Sequence, residues 1–265
     1  MNWWNQLDKN RGSRPRSVLV TSGSSAEVAA RLTAVISYPE VVIHAHDNWM
    51  PYGKPKLGPD AHWDCTPTLE AKLDKSDRLL SLEYQQEVRQ WWLEVPHNAN
   101  TPNWDIASTC TVGGRPGLLL IEAKAHAAEL SAAGKTLPST LNGWKNHVRI
   151  GRAIADAAAE FQIVTKKPWA IFRDSNYQLS NRFAWAWKLT SLGIPVVLVY
   201  LGFLNAADMK GNGALFSSED DWTSIMKDHG KGIVPESVWN STIEFDGVPF
   251  LPLLRVFDQP FDLTR

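Results

Sequence analysis

The sequence predicts an α/β fold with a mixed central sheet flanked by helices. Helix-like and strand-like segments alternate along the chain, and neither an internal repeat nor a low-complexity stretch interrupts them. Residues 194–203 are almost continuously apolar, as is typical of a central or parallel strand buried on both faces. A short helix near 219–228 and two strands near 241–245 and 250–257 are expected after it. With 265 residues, 44% of them hydrophobic, the chain is long enough for one sizeable core.

Composition and charge exclude several classes of protein. No long linker rich in Pro, Ser or Gly divides the chain, so residues 1–265 are expected to form a single domain. The formal net charge is -1, so any binding of nucleic acid would need a local basic surface. Two cysteines, Cys65 and Cys110, exclude a disulfide-dense scaffold. The sequence shows no secretory core and no run near the roughly 18 apolar residues of a membrane helix, so a cytoplasmic protein without a membrane partner is expected.

The N-terminal region combines a polar arm with the first regular elements. Residues 1–16 are predicted to form a loose, solvated arm, and contact with phosphate is the alternative role of its four cations, Lys9, Arg11, Arg14 and Arg16. Residues 18–20 predict a short buried strand. Ser24 followed by Glu27 fits a capping box, so a helix is expected to begin there.

A second strand-like segment, residues 40–46, leads into a group of metal-ligating residue types. His44, His46 and Asp47 end this segment, and two histidines on one strand face can bind zinc. A zinc hydrolase that uses these three residues is therefore one alternative function. Ordinary strand-end histidines are favoured, because the Asp-His spacing of a full HxHxDH zinc motif is missing. Residues 48–68 predict an ordered irregular loop.

Three helices are predicted in the middle of the chain. Residues 79–95 have apolar side chains at helical spacing, and Glu83 and Glu87 flank that stripe, either as solvated acids or as acids that reach a metal site. A long Ala-rich helix begins near residue 140. Its basic side chains form an exposed polar face or position phosphate: Lys145, Arg149 and Arg152. Residues 175–193 predict a helix that ends at the C-cap glycine Gly193.

The most informative stretch is residues 103–126, which predict a β-hairpin. The turn signal Gly-Gly-Arg-Pro-Gly separates a polar run from an apolar run that ends in Glu-Ala-Lys. Alternation places Glu122 and Lys124 on one face of their strand. If the hairpin folds about residues 114 and 115, Asp105 lies opposite Lys124, and paired strands are about 5 Å apart. Two carboxylates and an ammonium group would then converge, which is an arrangement that can hold a divalent metal.

The same tripeptide occurs once more, at residues 70–72, with Asp64 upstream. No apolar strand leads into this copy, and the five residues between Asp64 and Glu70 are too few for a hairpin. It is therefore excluded as a site on structural context. The sequence also contains no GxSxG elbow, no CxxC pair and no HExxH motif.

Asp105 followed by Glu122-Ala123-Lys124 resembles the PD-(D/E)xK nuclease superfamily. The resemblance covers about residues 78–205, comprising a helix with an acid, the hairpin, a crossover helix and a further strand. Asn103-Trp104 precedes Asp105 where the nominal motif has proline, although Pro102 is close by. The resemblance implies a restriction-endonuclease-like core with N-terminal (about 1–75) and C-terminal (about 206–265) elaborations.

The resemblance also implies a function and its residues. The protein would be a nuclease that hydrolyses phosphodiester bonds of nucleic acid, with DNA favoured, and Mg²⁺ or alternatively Mn²⁺ as cofactor. Asp105 and Glu122 would bind the metal, with the Ala123 carbonyl as a third ligand, while Lys124 would orient or activate water. Mg²⁺ usually keeps several waters, so two protein acids are enough.

Further residues could complete such a site. Glu83 or Glu87 would add an acid from the preceding helix, and Gln178 would face the site from a later one. Candidates for substrate contacts are His126, Arg149, Tyr177 and Arg182.

Two other functions stay open. The first, favoured by the near-neutral charge and opposed by the intact motif, is a non-catalytic nucleic-acid-binding or assembly protein with the same fold. The second is the zinc hydrolase on His44, His46 and Asp47. The sequence leaves open whether the substrate is DNA or RNA, whether cleavage is internal or terminal, and whether the chain forms a homodimer.

Overall fold

A computed structural model of the chain describes residues 2–57, 63, 64 and 66–262, in which six α-helices and nine strands are assigned. The helices are α1 Ser13–Val20, α2 Ser25–Ile36, α3 Leu82–Trp92, α4 Leu141–Thr165, α5 Tyr177–Ser191 and α6 Glu219–Gly230. The strands are β1 Val41–Val42, β2 Trp49–Met50, β3 Lys56–Leu57, β4 Trp63–Asp64, β5 Ile106–Val112, β6 Arg115–Lys124, β7 Val196–Phe203, β8 Ile243–Phe245 and β9 Val248–Phe257.

Seven of the described strands form one mixed sheet. Its order is β1-β5-β6-β7-β9-β8, and β2 also pairs with β5. Strands β6, β7 and β9 run parallel, whereas the other neighbours are antiparallel. Every residue of β7 is buried, as its continuous apolar sequence predicts for a central parallel strand. The mixed α/β class is confirmed, and the two expected late strands are present as β8 and β9.

The β5–β6 hairpin is present, but its register differs from the predicted one. Gly113 and Gly114 form the turn with φ of 55° and 78°, and two positive φ values are what a two-residue type I′ turn requires. Ile106 pairs with Ile121, so the same register continued by one residue sets Asp105 opposite Glu122. The predicted pairing of Asp105 with Lys124 was therefore wrong. The turn is centred one residue earlier than expected, because the two glycines take both turn positions.

Helices cover both faces of the sheet. Because side chains alternate along β6, its residues contribute in turn to the cores on the two faces. Leu118 and Leu120 belong to a core shared with α3, α4 and α5. Leu119 belongs to a second core on the other face, shared with α2. Because side chains alternate along a strand, Glu122 and Lys124 continue the face of Leu118 and Leu120. The polar end of β6 therefore faces the layer that contains α5.

The N-terminal segment is more ordered than the sequence suggests. Residues 13–20 form α1, so the predicted loose arm and the predicted strand at residues 18–20 were both wrong. Arg14 and Arg16 are buried, and Arg16 Nη2 lies 2.6 Å from Asp208 Oδ1. The ion pair offsets part of the cost of burying Arg16, and it ties α1 to the C-terminal half. A three-residue apolar run does not distinguish a strand from one buried face of a short helix.

The other predicted helices are confirmed, with their caps. Ser24 and Glu27 form a complete capping box at the start of α2. Thr140 caps α4, and Gly193 follows α5 with φ of 85°. In the described part of the chain, no helix is long and apolar enough to cross a membrane. Cys110 is buried and unpaired, and Cys65 lies outside the described residues.

Candidate active site

Asp105, Glu122 and Lys124 lie together at the open end of the β5–β6 hairpin. They line one cavity of about 650 Å³, which also receives side chains from the N-terminal segment, the loop before β5, and α5. The structure thus brings together the three side chains that the hairpin was predicted to join. Their catalytic role is a separate prediction.

Glu122 is a buried carboxylate held by two cations. It is 1% exposed; Lys124 Nζ donates to its Oε1 at 2.5 Å, and Arg182 Nε donates to its Oε2 at 2.6 Å. Burial opposes the charge of Glu122, but Arg182 and Lys124 outweigh it and hold the pKa of the carboxyl below its ordinary value. Glu122 is therefore an anion whose two oxygens are fixed in position.

Asp105 is in the opposite electrostatic situation. Its Oδ2 accepts the backbone N–H of Ala123 at 2.8 Å, which fixes the carboxyl against β6. Burial, followed by repulsion from Glu122 and then from Glu70, raises the pKa of Asp105 from 3.8 to about 7, although Lys124 and the Ala123 N–H act against the rise. Near neutral pH the carboxyl group is therefore only partly ionised.

Arg182 has a different role from the substrate contact that the sequence suggested. Besides Glu122, it bonds the Asn103 carbonyl through Nη2 at 2.6 Å and lies over the Trp104 ring at 4.5 Å. The side chain is 6% exposed. Its guanidinium fork is thus occupied by the carboxylate and the loop before β5, so Arg182 orients Glu122 and is not free to bind a substrate phosphate.

Glu70 is the site residue that sequence reasoning missed. Ala71 and Trp104 exchange two backbone hydrogen bonds, at 3.2 and 2.9 Å, which bring the excluded Glu-Ala-Lys copy beside Asp105. Glu70 lines the cavity and adds to the repulsion on Asp105. Local context could not reveal this, because the contact is a single isolated bridge between two loops.

Glu70 has two polar contacts, and two further charged residues line the same cavity. Arg14 Nε lies 3.4 Å from Glu70 Oε1, and Asn103 Nδ2 donates to Glu70 Oε2 at 3.0 Å. Lys9 lines the cavity, so one cation of the N-terminal segment does reach it. Glu129 lines it too, with Oε2 accepting the Ala125 N–H at 2.6 Å.

The two acids of α3 do not reach the cavity. Glu83 and Glu87 are exposed, and Glu87 pairs with Lys188 at 2.8 Å. Neither lines the cavity, so the expectation that one of them completes the site was wrong. They occupy the solvent face of an amphipathic helix, which is the ordinary location of charged side chains flanking a buried stripe.

Of the two residues predicted in the first turn of α5, one lines the cavity and the other does not. Gln178 lines the cavity, as expected. Tyr177 is partly buried, its ring lies under the Lys135 ammonium at 5.0 Å, and desolvation raises the pKa of its hydroxyl. Tyr177 is therefore placed beside the cavity without lining it.

Two further candidates for substrate contact interact with other residues of the chain instead. His126 is 7% exposed, and its Nε2 lies 3.8 Å from Glu129 Oε1. Arg149 donates to the carbonyls of Trp91 and Gln90 at 3.0 and 3.3 Å, so it caps the C-terminal end of α3. Neither side chain lines the cavity, and the proposed phosphate contacts do not fit these positions.

The histidines considered for zinc lie elsewhere on the surface. His44 and His46 are exposed and stacked, with ring centroids 5.2 Å apart. Asp47 accepts the His44 N–H through Oδ2 and the Thr109 hydroxyl through Oδ1, so its carboxylate stabilises a turn. Among the described residues, no three His, Cys, Asp or Glu side chains are grouped so as to hold a metal ion.

The donor set in the cavity fits a hard divalent cation with few protein ligands. Within the described residues, Asp105 Oδ1 has no hydrogen-bond partner, and each oxygen of Glu122 keeps a second lone-pair direction. Mg²⁺ prefers oxygen ligands and keeps several waters. The Asp105–Glu122 repulsion is also what a cation between the two carboxylates would relieve.

Comparison with known proteins gives no relative. No protein-family model matches the sequence. No curated protein matches it significantly, and no solved structure does. The likeness to the PD-(D/E)xK superfamily therefore depends on the residues and their arrangement alone.

Proposed function

We propose that the protein is a metal-dependent nuclease with a restriction-endonuclease-like core, acting on nucleic acid and by preference on DNA. One observation carries the proposal. Asp105 and Glu122 share a polar cavity with Lys124, and their repulsion is part of what raises the pKa of Asp105 to about 7. A chain selected only for stability has no need of two acids and a lysine at this point, since apolar replacements for buried charges are often neutral or stabilising.

The chain's own residues define the proposed chemistry. Bound Mg²⁺ would supply positive charge against the phosphate oxygens and lower the pKa of a bound water. Asp105 and Glu122 would hold the ion through carboxylate oxygens, and Arg182 keeps Glu122 Oε2 in a fixed orientation. Lys124 Nζ would orient the attacking water and stabilise the charge that develops on the phosphoryl oxygens. The amide of Gln178 is available to bind a water or a phosphate oxygen at the rim.

A specific observation favours the non-catalytic alternative, a nucleic-acid-binding or assembly protein. Both oxygens of Glu122 are engaged by cations, so a bound ion would have to share the carboxylate with Lys124 and Arg182. If that ion triad is purely structural, the cavity would bind a substrate without cleaving it.

The decisive experiment is a cleavage assay with linear, circular and single-stranded DNA and with RNA, in Mg²⁺ or Mn²⁺. We expect Asp105→Asn and Lys124→Ala to reduce cleavage by at least about 100-fold. Glu83→Gln is the matched control, because it removes an acid that is exposed and lines no part of the cavity. Its rate should equal that of the wild type.

The outcomes separate the candidate functions. Cleavage that survives both Asp105→Asn and Lys124→Ala would refute the mechanism. If the wild type binds oligonucleotides but cleaves none of the substrates with either metal, the binding function is the better description. Loss of cleavage in Glu83→Gln would contradict the placement of the site.

A further inference from the structure

A second polar cavity, of about 670 Å³, lies at the N-terminal end of α4. Its walls come from the loop of residues 97–100, the segment of residues 135–140 and the first turns of α4. No acidic side chain is among the described residues that line it, whereas Lys135, two histidines and several asparagine amides are. The lining residues therefore offer hydrogen-bond donors and positive charge, and the closest carboxylate, that of Asp174, lies outside the lining.

His147 is the most unusual residue of this cavity. It is 2% exposed, and neither ring nitrogen has a hydrogen-bond partner among the residues that the structure describes. Its nearest acid, Asp174, lies 3.9 Å from Nε2 and is already bound by Arg173 at 2.6 and 2.7 Å. Buried polar groups are nearly always paired, because an unpaired one keeps the cost of losing its hydration. The imidazole is thus prepared for a hydrogen-bonding ligand that enters the cavity.

The end of α4 adds a favourable field for an anion. The helix has 25 residues, and the Thr140 side chain satisfies only the Gly143 N–H. The first N–H groups of a helix carry partial positive charge and bind phosphate well. Lys135 also lines the cavity, and its ammonium group lies over the Tyr177 ring at 5.0 Å. A helix terminus, a cation and an unpaired imidazole therefore surround one space.

We infer that this cavity binds a backbone phosphate of the nucleic acid strand at a position away from the scissile phosphate. This inference depends on the proposed function for the identity of its ligand. At two points of the chain, adjacent residues belong to the two cavities. Asn100 lines the cavity at α4, and Thr101 lines the cavity of Asp105 and Glu122. Tyr177 contacts Lys135 of the α4 cavity, and Gln178 lines the cavity of Asp105 and Glu122. A single nucleic acid strand that extends from one cavity to the other would contact both.

Exposed apolar groups beside the second cavity favour a strand over a free phosphate ion. Leu141 is 73% exposed and Trp144 is 44% exposed, and the Trp144 and His147 rings pack edge to face with centroids 5.4 Å apart. A base can stack on an exposed indole, and this contact is open to any base because every base has an aromatic face. Free phosphate gains nothing from this surface, whereas a nucleotide unit uses both features.

The test measures oligonucleotide binding in the presence of EDTA, where no divalent metal and no cleavage are involved. A fluorescent single-stranded oligodeoxynucleotide is titrated against wild type, Lys135→Gln, His147→Phe and Lys166→Gln. We expect Lys135→Gln and His147→Phe to weaken binding by about tenfold each, and Lys135→Gln also to reduce the salt slope of log K by about 1. Lys166→Gln is the matched control, because Lys166 caps the far end of α4, about 37 Å away along the helix.

A second measurement follows the imidazole itself. The proton resonances of His147, assigned by their loss in His147→Gln, are followed during titration with inorganic phosphate and with the oligonucleotide. Shifts with the oligonucleotide, together with weaker binding by Lys135→Gln, support the inference even if His147→Phe folds poorly. Shifts with inorganic phosphate while Lys135→Gln keeps full oligonucleotide affinity would assign the cavity to free phosphate and overturn it. Absence of shifts with either ligand would also overturn it.

Failure of this subsite and failure of the nuclease proposal give different results. If wild type cleaves DNA but Lys135→Gln and His147→Phe bind like wild type, the subsite is refuted and the nuclease stands. If no substrate is cleaved while the two variants bind about tenfold more weakly, the phosphate subsite stands on a non-catalytic protein.

Discussion

Replacing Asp105 with asparagine should stabilise the metal-free protein at alkaline pH. The substitution keeps the shape of the side chain, and an amide oxygen can still accept the Ala123 N–H that Asp105 Oδ2 accepts at 2.8 Å. It removes the charge that burial and Glu122 make unfavourable, since these two are the largest causes of the raised pKa. A residue proposed for catalysis thus carries a cost in stability.

The magnitude follows from the pKa. Folding raises the pKa of Asp105 from 3.8 to about 7, so the folded state binds this proton more tightly than the unfolded state. The associated stability is complete below about pH 3.8 and is lost as the pH rises through about 7. The whole shift corresponds to about 4 kcal/mol, of which about 2–3 kcal/mol falls between about pH 5 and pH 8. Asp105 is partly exposed to the water of the cavity, so these are upper limits.

Urea unfolding of the wild type and Asp105→Asn at several pH values in EDTA checks this reasoning. The free-energy advantage of asparagine should grow as the pH rises, and an advantage that is constant or that shrinks would refute the charge argument. Thermal unfolding with Mg²⁺ is a second, independent test. Mg²⁺ should raise the Tm of the wild type at about pH 8 and leave that of Asp105→Asn nearly unchanged, because binding to the folded state stabilises it.

Three further substitutions test the assignments of neighbouring residues. Glu70→Gln should weaken Mg²⁺ binding, as measured by calorimetry, but by less than Asp105→Asn does. If the affinity of Glu70→Gln for Mg²⁺ equals that of the wild type, Glu70 does not contact the ion. Arg182→Met should lower the free energy of unfolding by about 3–5 kcal/mol, because it leaves the buried Glu122 with one cation, and a loss below about 1 kcal/mol in urea would contradict the structural role. Arg149→Gln should lower stability by about 1 kcal/mol through the lost caps on α3, with oligonucleotide affinity unchanged. Weaker oligonucleotide binding by Arg149→Gln would instead restore the phosphate role.

The hairpin could be predicted from sequence because two local signals coincide there. The Gly-Gly turn and the apolar run before Glu122 set the strand pairing, and alternation sets the face. The predicted register paired Asp105 with Lys124, whereas the structure sets it opposite Glu122. The error shifted the residue opposite Asp105 from Glu122 to Lys124, which is two positions. Because side chains alternate along a strand, a shift of two leaves every side chain on the same face of the sheet. The three motif residues therefore converge in spite of it.

The remaining parts of the cavity depend on contacts between segments far apart in sequence. Glu70 reaches Asp105 through one bridge between Ala71 and Trp104, and nothing in the sequence near residue 70 signals that bridge. Arg182 approaches Glu122 from α5, sixty residues later in the chain. A helical pattern shows which face of α5 is buried, but it does not show which strand residue that face meets. Pairing across layers is a tertiary property, and a single sequence carries little information about it.

The charges of the cavity are better explained by function than by stability. Glu122 and Lys124 on β6 and Arg182 on α5 are each at most 6% exposed, although the preceding residues of β6, Leu118 to Ile121, are all apolar. Desolvating such ions costs several kcal/mol each, and their mutual attraction repays this only with good geometry. Asp105 adds a fourth ionisable group, whose pKa is raised by burial and by repulsion from Glu122. Buried positions of β6 hold apolar side chains from Leu118 to Ile121, and charged ones only at Glu122 and Lys124. When a sequence otherwise agrees with its fold, such a departure is expected at a functional site.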